Sequence, residues 1–237
     1  VTVNPSPNGS ISVITPICNG ESTDLTFSLS GGTGPYDVVY SDGTANITLN
    51  NLSNGDTESV SPSVNTTYSI VSITDNNGCA TTSVSGSVTV IVNPTPNGTI
   101  GATSPVCDGG MTTLTFNMSA GTGPFTIVYT DGTNTFTDLV SVASGVTTTQ
   151  VVSTGSVTYD YVSITDANSC VRTTGFGGNA TVTVNELPNG TISGATTTCE
   201  GDATNLTFNF TSGTGTYDVD YYDGSTTFSL SGISDGH

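Results

Sequence analysis

Basic side chains are almost missing from this sequence of 237 residues: Arg172 is the one Lys or Arg, against nineteen Asp and Glu, and the single His stands at the last position. The resulting net charge of −18 excludes nucleic acid as a partner, because phosphates need a basic surface and this one repels them. Anionic membrane surfaces are disfavoured for the same reason. No run of about eighteen apolar residues provides a transmembrane helix, and no charged-then-apolar start marks a signal peptide, so no membrane insertion is expected. Catalysis is short of parts as well. A Ser-His-Asp or Cys-His arrangement needs a positioned base, which one terminal His does not supply to repeated units. Without Lys there is no Schiff-base chemistry and no Lys-Asn isopeptide cross-link. The chain reads as a non-enzyme.

What is present is repetition, which sets the domain count before any local reading. "VNPSPNG" at 3–9, "VNPTPNG" at 92–98 and "VNELPNG" at 184–190 start 89 and 92 residues apart. Each is followed by "CNG", "CDG" or "CEG" at 18, 107 and 199, and by "LTFSLS", "LTFNMS" or "LTFNFT" at 25, 114 and 206. Then come "GTGPYDVVYSDG", "GTGPFTIVYTDG" and "GTGTYDVDYYDG", starting at 32, 121 and 213, and in two repeats "VSITDNNGC" at 71 and "VSITDANSC" at 162. A period near ninety is the size of a small domain rather than a solenoid unit. The expected division is 1–6, the last strand and linker of a preceding module; 7–95, repeat 1; 96–187, repeat 2; and 188–237, the N-terminal half of repeat 3. In the recurring joint, Pro denies the ladder a donor and Asn-Gly is read as a turn opening the next module. Short, proline-bearing joints predict modules stacked end to end as a stiff rod.

Only 8% of residues are charged, which by itself suggests disorder, but the patterning does not. Leu25, Phe27 and Leu29 alternate with Thr26 and Ser28; Leu114, Phe116 and Met118 with Thr115 and Asn117; Val88, Val90 and Val92 with Thr89 and Ile91. That is the period of half-buried strands, punctuated by Gly, Asn, Asp or Pro every eight to twelve residues. The fold expected is all-β, each complete module an antiparallel β-sandwich of about seven strands.

Cysteine is scarce and regularly placed. Cys18 and Cys79 are 61 residues apart, Cys107 and Cys170 are 63 apart, and Cys199 matches Cys18 and Cys107 with its partner expected outside the chain. Among the three connectivities of four cysteines, Cys18 with Cys79 and Cys107 with Cys170 treats the two repeats alike. Closing a loop of about sixty residues contributes roughly 4 kcal/mol in the chain-entropy model. Disulfides imply an oxidising, extracellular setting. Zinc is unsupported, for there is no CxxC and one terminal His.

The recurring acids sit in turn phrases. Asp42, Asp131 and Asp223 each precede Gly and read as hairpin turns rather than as a glycosidase pair. Asp75 with Asn77, and Asp166 with Asn168, have an Asp-x-Asn spacing that offers two oxygen ligands to calcium; no Glu closes a twelve-residue loop, and an Asx turn is the simpler reading. Tyr36, Phe125 and Tyr217, and Tyr40, Tyr129 and Tyr221 four residues on, read as core anchors, with an aromatic sugar platform as the rival. Asn46 and Asn205 stand in Asn-x-Ser/Thr sites, which matter only in a glycosylating host.

Together, C-[NDE]-G, LTF, GTGPY or GTGPF, Y-x-DG and VSITD-x-N-x-C resemble the Ig-like (or PKD-like) repeats of very large cell-surface adhesins of gliding Bacteroidota, the SprB type, over essentially the whole chain. The resemblance implies export by the type IX secretion system, display on the bacterial cell surface, and attachment during gliding motility. On that reading the chain is stalk and spacer, its partners being neighbouring modules and a surface or glycan ligand. Two alternatives are a filament-forming surface protein completed by strands of a neighbouring chain, and carbohydrate-binding accessory modules of a secreted enzyme.

Overall fold

The computed structural model describes residues 3–82, 84, 86–140, 144–151, 155–195 and 197–237, with backbone alone for 139, 140, 144–146 and 151. Val1 and Thr2, the start of the strand expected from a preceding module, lie outside the described residues. Among the described residues every regular element is a β-strand, and no helix is long and apolar enough to cross a membrane.

Repeat 1 contains β1 (Asn8–Val13), β2 (Ile17–Cys18), β3 (Thr23–Ser30), β4 (Tyr36–Ser41), β5 (Asn46–Leu52), β6 (Thr57–Val60), β7 (Thr66–Asp75), β8 (Ala80–Thr81), β9 (Ser87–Val90) and β10 (Val92–Asn93). Seven of these are longer than two residues, as the sequence predicts. They divide into a three-stranded sheet, β1-β3-β6, and a second sheet, β5-β4-β7, whose far edge on β7 takes both β8 and β9. All these pairings are antiparallel. The chain thus crosses from one sheet to the other between β3 and β4, between β5 and β6, and between β6 and β7, the connectivity of an Ig-like sandwich.

Repeat 2 reproduces the plan with β11 (Asn97–Ala102), β12 (Val106–Cys107), β13 (Met111–Ala120), β14 (Phe125–Thr130), β15 (Thr135–Val140), β16 (Ser144–Val151), β17 (Val157–Thr165), β18 (Val171–Arg172), β19 (Ala180–Val182) and β20 (Val184–Asn185). Its sheets are β11-β13-β16 and β15-β14-β17 with β18 and β19 on β17. In repeat 3, β21 (Asn189–Gly194) pairs with β22 (Leu206–Ser212), and β23 (Tyr217–Tyr222) with β24 (Thr227–Ile233). Its local bonding copies repeat 1: Phe27 N–H donates to Asp56 O at 3.0 Å, and Phe208 N–H donates to His237 O at 2.9 Å.

The alternation read from the sequence is the alternation of burial. Leu25 and Phe27 are 0% exposed and Leu29 4%, while Ser28 between them faces solvent. Complete burial of side chains this large contributes about 1.5–3 kcal/mol each. In repeat 1 they close on Val38, Tyr40, Tyr68, Ile73 and Val90; in repeat 2 a separate cluster joins Leu114, Phe116, Ile127, Tyr129, Tyr159 and Ile164. One ring pair anchors all three repeats: Phe27–Tyr40, Phe116–Tyr129 and Phe208–Tyr221, with centroids 5.8, 5.2 and 5.5 Å apart. By contacts the chain forms two compact units, one of 1–96 with 120–123 and 165–172, the other of 97–119, 124–164 and 173–237.

Two local expectations need correction. Asn-Gly in the joint is not a turn: Gly9 lies in β1 opposite Leu29, where a Cβ would come within 2.8 Å of the Leu29 side chain and 2.9 Å of Ile73. Glycine is needed there for close approach of the sheets. Likewise, Val88, Val90 and Val92 are not one strand. The chain breaks at Ile91, whose carbonyl accepts Ile17 N–H at 3.0 Å and whose N–H donates to Thr15 Oγ1 at 2.7 Å, and β10 then leaves β7 to run parallel to β2.

Candidate functional site

The recurring polar motifs gather at the two ends of each sandwich. At one end, β2 runs parallel to β10, with Cys18 opposite Asn93. The following "CNG" is a tight turn in which Asn19 N–H donates to Asn93 O at 2.8 Å, Glu21 N–H donates to Cys18 O at 2.9 Å, and Glu21 Oε2 accepts Cys18 N–H at 2.9 Å. Repeat 2 builds the same turn: Cys107 lies opposite Asn185, Asp108 N–H donates to Asn185 O at 2.8 Å, and Gly110 N–H donates to Cys107 O at 2.8 Å.

At the other end, β7 finishes at Asp75, which is 4% exposed. Its Oδ1 accepts the N–H of Asn77 at 3.0 Å and of Cys79 at 2.7 Å, and its Oδ2 accepts Thr33 N–H at 2.9 Å. Asp166, 5% exposed, repeats this with Asn168 and Cys170, each at 2.9 Å, and Thr122 at 3.0 Å. A buried carboxylate with three backbone donors is a satisfied structural anchor. Gly32, at φ +64°, sits against it, and a Cβ there would fall 2.7 Å from Asp75 Oδ2. The Asp-x-Asn phrases singled out for calcium are therefore Asx turns in their hydrogen bonding. The Asn77 amide is also engaged, donating Nδ2–H to Thr33 Oγ1 at 2.8 Å.

The disulfide pairing expected within each repeat is overturned. Cys18 is bonded to Cys170, with Cα atoms 5.6 Å apart and 152 residues between them in sequence, whereas Cys79, Cys107 and Cys199 are thiols. The reason is the length of β7. This strand begins at Thr66, opposite Val90 beside the Cys18 end, and finishes ten residues later at the Asp75 turn that carries Cys79. Ten residues of strand span roughly 33 Å, far beyond the reach of a disulfide. Cys18 and Cys79 thus stand at opposite ends of one sandwich. Cys170 is 0% exposed and belongs to the same compact unit as Cys18. A loop of this size constrains the unfolded chain by about 5 kcal/mol in the chain-entropy model.

The three "DG" hairpins are alike. Asp42 Oδ1 accepts Thr44 N–H at 2.8 Å, Ala45 N–H at 2.7 Å and the Thr44 hydroxyl at 2.7 Å. Asp131 and Asp223 cap their turns in the same way. These donors, the Ala45 N–H above all, hold the Asp42 carboxyl down at about 2, and the Asn134 and Thr226 N–H groups lower Asp131 and Asp223. The aromatic residues are core: Tyr36, Tyr40, Phe125 and Tyr129 are buried, and Tyr217 and Tyr221 half-buried. Burial pushes the Tyr129 and Tyr161 hydroxyls well above the ordinary tyrosine range; Tyr129 accepts from Gln150 Nε2 at 2.9 Å and Tyr161 donates to Thr99 O at 3.0 Å.

No protein-family description matches the sequence, and no curated protein matches it. Solved structures similar to it include the fibronectin(III)-like modules of Clostridium thermocellum CbhA, at 14% identity over 74% of this chain and 94% of that one, with a TM-score of 0.34. The full ectodomain (Ig1–Ig3) of mouse nectin-like molecule 4 is similar at 14% identity over 77% of this chain, with a TM-score of 0.30, and the match spans 65% of that ectodomain. Neither is close enough to add to what the strand order says.

Proposed function

We propose that the chain is a non-enzymatic repeat segment of a large extracellular surface protein, a stalk and spacer in surface attachment, with gliding motility as its setting. One observation supports it above the rest. The residues that recur from repeat to repeat are engaged in building the fold: Asp75 and Asp166 in terminal turns, Asp42 and Asp131 in hairpins, and the ring pairs in two separate cores. A sequence that repeats only its scaffold serves by its length and its surface. On this reading the modules stack end to end, each about 33 Å long, and X-ray scattering is expected to give a radius of gyration of about 30 Å, against roughly 18 Å for a globule of this size.

Display on the cell exterior is tested with an antibody raised against the chain. Intact cells that make the protein label with it and attach more slowly to glass in its presence. Labelling seen only after lysis would overturn the reading.

A further inference from the structure

The Cys18–Cys170 bond has a topological consequence. The chain from residue 19 to residue 169 is a covalently closed loop, and this loop holds β3 to β17. With them it holds nearly all of both cores, from Leu25 to Val90 and from Ile100 to Ile164; Ile11, Ile17, Ala180 and Val182 lie outside it. Tension between residues 1 and 237 enters Cys18 from β1 and β2, crosses the sulfur bridge, and leaves through Cys170 into β18 and the strands after it.

We propose that this cystine is a tension bypass, a covalent shunt that carries pulling force around both hydrophobic cores so that they do not unravel under load. The idea rests on the spacer reading for its purpose, but not for its geometry. Without the bridge, pulling would reach β3 through β17 one strand at a time, and only hydrogen bonds and side-chain packing would resist. With it, the accessible length is limited to the stretches outside residues 18 and 170. The setting favours a durable link. Cys170 is wholly buried and its N–H is held by Asp166 Oδ1 at 2.9 Å, while Cys18 is held by the Glu21 carboxylate and by β10.

The test is single-molecule stretching of the whole chain from its two termini, through handles that do not use thiols. The length released on complete unfolding is compared before and after a dithiol reductant, which takes up the bridge as two thiols and itself closes to a cyclic disulfide. The expected gain on reduction is roughly 530 Å, the extended length of the 152 residues spanned. Cys18→Ser without reductant gives the reduced length, and Cys107→Ser keeps the bypassed length of the unaltered chain. No gain on reduction would overturn the proposal, and so would a gain near 210 Å, the mark of a bond across the 61 residues from Cys18 to Cys79. Should Cys18→Ser fail to fold, the comparison on the unaltered chain still decides. A chain that shows the 530 Å gain yet never labels on intact cells would leave the bypass standing and remove the surface role alone.

Discussion

Arg172 donates its Nε–H to the carbonyl of Pro96 at 2.5 Å. The only Lys or Arg of the sequence is therefore bonded to the joint phrase that separates repeat 1 from β11. A charged donor on a partly buried carbonyl contributes about 1 kcal/mol once solvent screening is allowed for. Arg172→Met keeps the apolar stem and removes the donor. It is expected to lower the urea midpoint at unchanged slope, whereas an unaltered midpoint would show that the bond is idle.

Asp75 and Asp166 each hold three backbone N–H groups of a terminal turn. Asp75→Ala leaves those donors without their acceptor at a buried site, so a loss of about 2–3 kcal/mol is expected in chemical denaturation. Because the oxygens already serve the backbone, melting curves in millimolar calcium and in chelator should superimpose. A calcium-dependent rise in Tm that vanishes in Asn77→Ala or Asn168→Ala would contradict the Asx-turn assignment.

Acid stability follows from the hairpin aspartates. Each has a folded-state pKa below its unfolded value near 3.9, so each contributes stability that is present above about pH 4 and lost as pH falls toward the folded value, about 2 for Asp42. Stability should therefore decline between about pH 4 and pH 2, and Asp42→Asn should flatten that decline. The carboxyl carbon shift of Asp42, followed by NMR, should titrate near 2; a midpoint at the ordinary value would remove the cause.

The cores of repeats 1 and 2 are separate clusters, centred on Phe27 and Phe116, both 0% exposed. Truncation of either ring to Ala costs about 3–5 kcal/mol. In the reduced protein, Phe27→Ala should expose the amides of β3 and β4 to hydrogen exchange while those of β13 and β14 stay protected. Equal loss of protection in both would mean that the repeats share one folding unit.

Much of this fold was legible in the sequence. Period-two runs such as Leu25-Phe27-Leu29 located the strands, and Asp42 and Asp75 declared their turns through the Gly and Asn beside them. Two things were not. Gly9 looked like a turn residue because Asn-Gly has that local preference; its real constraint is contact with Leu29 and Ile73, which are distant in sequence. The cysteine pairing failed for a related reason. Treating the repeats alike does not require bonds within a repeat, for a bond from the first cysteine of one repeat to the second cysteine of the next is equally regular. The usable signal lay in strand lengths. Cys18 ends the two-residue β2 beside the end of its module, Cys79 follows the ten residues of β7, and a strand that long places the two at opposite ends.

The cystine is tested most directly by mapping it without reduction. Free thiols are alkylated in denaturant, and the protein is cut before Asp and after Glu, which places Cys18 on fragment 1–21, Cys79 and Cys107 together on 75–107, Cys170 on 166–186 and Cys199 on 187–200. A mass equal to 1–21 joined to 166–186, with 75–107 alkylated twice, is the predicted result. Fragment 1–21 joined instead to 75–107 would contradict it.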